Sequence, residues 1–222
     1  YHLVESIALA ERPGTWHTQP DAGPQHMDWN PHAVVPRMSS TVVAHERGVE
    51  AARWVLERLE GGDLDRRLLL LEWVRLLLER QPLIEPLGLK DILLRRAADP
   101  VAEVANKVTL CLAKAIEADR DFGHHLALRL HERDETLVCR AMADVLTRLF
   151  RRLTWDALPL LDDMLQSDDE GVLAAASATV GDVKYLDKEQ WADRLRQLVD
   201  HPLAIVRRNL VPNLREYIEF DP

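Results

Sequence analysis

The valines Val104, Val138, Val172 and Val206 stand 34 residues apart. This spacing constrains the fold more than any other feature, because a fixed period of that length marks a stack of like supersecondary units. Four residues after each valine the row reads Val108, Met142, Ala176, Leu210, and eight after it Leu112, Leu146, Val180, Leu214. One period earlier the same rows hold Leu70, Val74 and Leu78. Offsets of zero, four and eight share one face of a helix, so each period carries an amphipathic helix. Another helix precedes it, marked by Leu59, Leu93, Ala127, Leu161 and Leu195, and then by Ala97, His131, Leu165 and Val199. The pattern predicts helix pairs over 42–80, 86–117, 121–152, 156–183 and 188–219. A single pair cannot bury its apolar face, whereas stacked pairs share one continuous core. The expected fold class is therefore all-α, an α-solenoid or superhelix of these five pairs.

The turn inside each pair places Asp65, Asp99, Arg133, Ser167 and His201 at equivalent positions. Asp and Ser there are expected to cap the helix that follows. Pro100 and Pro202 are expected at its first position, where no N–H is needed. Pro212, inside the last helix, is expected to kink or loosen it and to mark the end of the stack.

Composition narrows the class further. Of 222 residues, 47% are hydrophobic and 29% charged, which excludes a disordered chain. The longest apolar run, Leu68 to Leu71, is far too short to span a bilayer, so no membrane partner is expected. The net charge of -9 argues against a nucleic-acid partner, which calls for an excess of Lys and Arg. Cys111 and Cys139 fall inside helical patterns with no CxxC neighbour, which fits a reducing, cytoplasmic setting. No signal peptide is visible. The first residue is Tyr1 rather than Met, so a piece of a longer or processed chain is expected.

Residues 1–40 do not share the period and are expected to form a separate region before a repeat domain over 41–222. Tyr1 to Ala10 reads as a short helix. Glu11 to Ser40 holds five prolines and two glycines and cannot be a regular helix. The favoured reading is an irregular arm anchored by Trp16 and Trp29. A metal site built from His17, His26, His32 and Asp28 is disfavoured, because the spacings match no closed zinc pattern.

The segments Asp99-Pro100 to Val104 and Val206-Arg207-Arg208 give D-P-x-x-x-V and V-R-R patterns with apolar spacing. They resemble HEAT repeats, including the short HEAT-like type of bacterial phycobilin-lyase-like proteins, over Thr41 to Pro222. The Trp, Gly-Tyr and late-Pro pattern of tetratricopeptide repeats is missing. The Val-Arg pair is kept only at Val206-Arg207; the residues after the other valines are Ala105, Cys139 and Leu173.

No phosphate loop, G-x-S-x-G or H-E-x-x-H pattern occurs, and no catalytic residue, metal or cofactor is expected. His45-Glu46 and His131-Glu132 invite comparison with the HEAT-repeat di-iron hydroxylases, but they are not at equivalent repeat positions. His131 is expected to be a half-buried packing residue and His124-His125 to be solvated. The pairs Asp162-Asp163 and Asp168-Asp169 are expected on a solvated face, the second at a cap. Trp54, Trp73, Trp155 and Trp191 are expected to pack in the core or between repeats.

The second helices are expected to line the concave surface of the solenoid. With the core at offsets zero, four and eight, the open side is expected at offsets two, five and nine. Those rows read Glu72, Arg75, Glu79; Asn106, Thr109, Ala113; Arg140, Ala143, Thr147; Ala174, Ser177, Gly181; and Arg208, Val211, Arg215. The fourth repeat is almost bare there, and arginines flank it. The candidate binding residues are Asn106, Arg140, Ser177, Arg208 and Arg215. A small-residue floor with arginine walls suits an acidic peptide or a phosphate. The alternative is that these arginines are solvated or pair with carboxylates of adjacent repeats.

The expected function is a non-catalytic scaffold or regulatory module that binds a protein or peptide segment on the concave face, as part of a larger protein. The competing reading is a HEAT-like DNA-binding protein resembling the bacterial alkylpurine DNA glycosylases. The second helices are more basic than the whole chain, but the acidic total opposes this reading. A chromophore-lyase role, by kinship with the phycobilin-lyase repeats, ranks lower.

Overall fold

The computed structural model describes residues 48–220. The arm with Trp16, Trp29, His17, His26, Asp28 and His32, and also His45, lie outside the described residues. Those that are described form helices and turns with no strand among them. They cluster into two compact units, one ending at Arg96 and the other beginning at Ala97.

The first unit contains α1 (Gly48–Glu60), α2 (Leu64–Leu77), a single turn α3 (Gln81–Ile84) and most of α4 (Leu89–Ala97). Asp63 caps α2 by accepting the Arg66 N–H at 3.1 Å. Leu56, Leu59, Leu70, Val74, Leu89 and Leu93 form its core. Arg95 forks onto Glu60 at 2.7 and 3.2 Å, and Arg53 donates to the Pro86 carbonyl at 2.7 Å. Each contact joins residues about one repeat apart in sequence. The short helix α3 lies in the link between the first two predicted pairs, and the 34-residue spacing runs unbroken across it.

The second unit continues with α5 (Ala102–Thr109), α6 (Leu112–Ala118), α7 (Arg120–His131), α8 (Thr136–Leu153), α9 (Leu158–Met164), α10 (Glu170–Thr179), α11 (Lys188–Leu198) and α12 (Ala204–Phe220). Short 3-10 turns precede α9 and follow α10. The second helices form one row, α8 packing on α5 and on α10, and α10 packing on α12. The first helices α7, α9 and α11 form the other layer, against α8, α10 and α12 respectively. Val104, Val138, Val172 and Val206 are all buried between the layers, as are Val108, Met142, Ala176 and Leu210. The periodic face is thus the core, and the chain folds as an all-α, HEAT-like solenoid.

The helix starts differ from expectation. Pro100 and Pro202 lie in the turns, two residues before Ala102 and Ala204, rather than at the first helical position. In the fourth repeat the cap is Asp169, which accepts from Gly171 and Val172 N–H at 2.9 and 3.0 Å. Ser167 supports that cap, its hydroxyl accepting the Asp169 N–H at 3.2 Å. Pro212 sits inside α12, which stays helical through it. Trp73 and Trp191 are buried as expected, but Trp54 and Trp155 are exposed. Trp54 falls outside the apolar row of α1, and Trp155 lies in the 3-10 turn before α9.

Polar side chains knit each repeat to the next. Thr147 and Thr179 share a hydroxyl hydrogen bond at 2.8 Å. Lys184 meets Glu216 at 2.6 Å, and Arg151 meets Asp182 at 3.4 Å. On the first-helix layer, Arg194 forks onto Asp162 at 2.8 and 2.7 Å, and His131 Nε2 lies 2.7 Å from Asp163. The carboxylates Asp162 and Asp163 are exposed as expected, but both are engaged. Arg133 donates to the carbonyls of Ala97 and Asp99 at 3.0 and 2.9 Å, spanning one repeat, and is held by Glu135.

Candidate interaction face on the second helices

A helix flanked by two like helices and backed by another layer has only a narrow strip left open. On α8 that strip carries Arg140, Asp144 and Arg148; on α10 it carries Ala174 and Ala178; on α12 it carries Arg208 and Pro212. The open rows are therefore offsets two and six. The expected offset-five row is closed: Thr109, Ala143 and Ser177 are buried. They face the following repeat, which is why Val211, on the last helix described, is exposed at the same offset. Amphipathic analysis separates a helix into two sides and cannot register neighbours on its flanks.

This geometry corrects the pocket inferred from sequence. Ser177 is wholly buried and is not a surface floor. Its hydroxyl donates to the Ala174 carbonyl at 3.0 Å and accepts from Asn209 Nδ2 at 2.9 Å. Arg140 is no free wall either. It forks onto Asp169 at 3.0 and 2.9 Å, across the seam to the next repeat. Hydrogen bonding to Asp169 raises the Arg140 pKa, and hydrogen bonds from Arg140 and from the Val172 N–H hold the Asp169 carboxyl below the usual range. Arg215 reaches Glu219 on its own helix at 3.3 Å. Asn106 is half-buried and its carbonyl accepts from Thr109 Oγ1 at 2.7 Å. Arg208 is exposed and makes no hydrogen bond or ion pair among the described residues. The five candidates thus do not converge on one pocket.

The bareness of the fourth repeat has a local cause. A Cβ on Gly171 would stand 3.0 Å from Asp169 Oδ1 and 3.2 Å from Arg140 Nε, so glycine makes room for that clamp. Ala174 and Ser177 accept the Asn209 amide from α12, at 2.8 Å to the Ala174 carbonyl. A Cβ on Gly181 would stand 2.8 Å from Asn213 Oδ1 and 3.0 Å from Nδ2. Small residues on α10 and in the 3-10 turn after it therefore admit side chains of the flanking helices.

Asn213 is the residue that sequence reasoning missed. One period earlier the equivalent pair is Thr147 and Thr179, joined by a hydrogen bond. Adding 34 to each number gives Gly181 and Asn213. Gly181 has no side chain to offer, and the Asn213 side-chain amide makes no hydrogen bond to protein among the described residues; the residue is only 8% exposed, but its polar atoms still reach solvent. The signal was available in the sequence as a polar residue facing a glycine across the period.

Among the described residues no cluster of three or more His, Cys, Asp or Glu side chains is placed to hold a metal ion. No described helix is long and apolar enough to cross a membrane. Cys139 donates its thiol to the Arg133 carbonyl at 3.2 Å, and burial pushes its pKa up, away from nucleophile chemistry.

The fold and its open strip define a helical-repeat solenoid of the HEAT-like class. No family model matches the chain, and no curated protein matches it. Solved structures do. A designed armadillo repeat protein in complex with the peptide (KR)4 superposes with a TM-score of 0.51 at 14% identity, over 83% of this chain and 92% of that one. An engineered protein from a structural-genomics consortium gives 0.51 at 13% identity, over 85% and 90%. Another engineered protein from the same source gives 0.51 at 15% identity, over 88% and 95%. At such identities the likeness concerns the fold alone.

Proposed function

We propose that this chain is a non-catalytic interaction scaffold that holds an extended segment of a partner protein across the second helices α10 and α12. The observation that carries the reading is the Asn213 amide beside Gly181, without a protein partner among the described residues and open to solvent. An amide offers one acceptor and two donors, which complement the C=O and N–H of a peptide bond. The bare surface of Ala174 and Ala178 lets a backbone approach closely. Arg208, exposed and unpaired on the same helix, favours a segment with an acidic side chain. The designed armadillo repeat protein of similar fold is in complex with a peptide, which supports a reading in which such a solenoid carries a partner segment.

A phosphate-tracking groove is less well supported. Arg120, Arg140, Arg151, Arg152 and Arg194 are each neutralised by a carboxylate on another helix or turn.

The test is an array of extended peptides, with and without Glu or Asp, probed with the labelled full chain. Acidic peptides should be retained, and Asn213→Ala should weaken capture by about tenfold. Gly181→Ala should act in the same direction, because the new methyl displaces the Asn213 amide. Arg208→Glu should remove the preference for acidic peptides. Equal capture by wild type and Asn213→Ala, with both folded by circular dichroism, rejects the site.

A further inference from the structure

A cleft of about 550 Å³ opens on the first-helix layer, between α9 and α11. It lies in the other layer from the strip proposed above and does not depend on it. Its volume is in the range of small-ligand sites. Leu165 and Leu198 form an apolar floor, and Gln166, Gln190 and Gln197 supply amides along the walls.

The repeat register says what is missing from it. In the third repeat the turn position is Arg133, whose guanidinium fills the seam by donating to the carbonyls of Ala97 and Asp99. Two periods on, that position is His201, and the matching carbonyls belong to Leu165 and Ser167. The imidazole is too short to repeat the contact. His201 Nδ1 instead accepts the Leu203 N–H at 3.2 Å, within its own turn. The seam that Arg133 closes is therefore left open where His201 stands. The lining brings two carboxylates, Asp162 and Asp193, against one guanidinium, Arg194. Arg194 is spent on Asp162 and on the Gln190 carbonyl, while Asp193 is paired with Arg196 outside the cleft. The Arg194 charge in the cleft is thus already neutralised. The amide oxygens of Gln166 and Gln197 carry no hydrogen bond among the described residues.

The geometry points to a docking site for a guanidinium group, the arginine side chain of a partner protein, seated where Arg133 sits in the earlier seam. The planar fork of five donors suits scattered carbonyl acceptors, and its apolar stem suits the leucine floor. A lysine ammonium satisfies fewer of them.

The probe is N-acetyl-arginine amide, titrated to about 10 mM into the ¹⁵N-labelled full chain and followed by backbone NMR, since one side chain binds in the millimolar range. Saturable shifts at Gln166, Gln197 and His201 are expected. N-acetyl-lysine amide should bind roughly fivefold more weakly. His201→Arg supplies the guanidinium from within, so it should raise the melting temperature and abolish the shifts. Gln166→Ala with Gln197→Ala, both exposed, should weaken binding without unfolding the chain. No saturable shift in the wild type, or equal binding of the two probes, overturns the proposal. So does a His201→Arg chain that folds and still binds. Asn213→Ala leaves this titration unchanged, so failure of either site is read separately.

Discussion

At the scale of single residues, arginines that look like equivalents in sequence differ in their partners. Arg140 spans a seam and braces the Asp169 cap, whereas Arg208 has no partner among the described residues. Arg140→Ala should lower the melting temperature, by no more than about 2 °C because the pair is exposed. Arg208→Ala should leave it unchanged. Thermal melts followed at 222 nm distinguish them, and equal midpoints would show that the clamp contributes nothing. Both positions share offset two of the repeat, so nothing local separates them. The difference lies in what the next repeat presents: Asp169 follows Arg140, and no matching carboxylate follows Arg208 among the described residues.

At the scale of the element, the periodic valines are the strongest statement in the chain. Val172 is buried on α10. An Asp there places an unpaired charge between the layers and should cost about 4 kcal/mol or more, unfolding the second unit. Hydrogen exchange would show lost protection across α8 to α12. Unchanged protection would mean that the register is wrong. Pro212 gives the opposite expectation. It interrupts the hydrogen-bond ladder of α12 without ending the helix. Pro212→Ala restores a donor in an exposed position and should stabilise the protein by about 1–3 kcal/mol. Chemical denaturation would measure it, and a lower midpoint would show that the proline serves a packing role.

At the scale of the whole molecule, charges are engaged in pairs, some within a helix or turn and some across seams. Among the described residues, three carboxyls are held below their ordinary range: Glu117 by Lys114 and Arg152, Glu135 by Arg133, and Asp169 by Arg140. A carboxyl with a depressed folded pKa binds fewer protons when folded than when unfolded. The stability it contributes is complete above the unfolded pKa of about 4 and is lost as pH falls through the folded value. The melting temperature should be flat from about pH 7 to 5 and fall below about pH 4. A midpoint that rises on acidification would contradict the pairing.

The class of fold and the core are legible in the amino-acid order. Apolar rows repeating every 34 residues can be buried only by stacking, and Val104, Met142, Ala176 and Leu210 lie in that core. It also placed Trp191 and Trp73 correctly. Only the tertiary structure decided which part of each second helix stays open. A period reports the angle of a residue about its own helix, whereas exposure depends on how many neighbours surround that helix. Ser177 was therefore placed on a surface that the next repeat covers. Arg140 follows the other reading of the sequence, a pairing with a carboxylate of the adjacent repeat, and only the fold shows that Asp169 is that partner. Asn213 and His201 went unnoticed because their significance is relational: one faces a glycine where a threonine would have bonded it, and the other is shorter than the arginine that fills the equivalent seam.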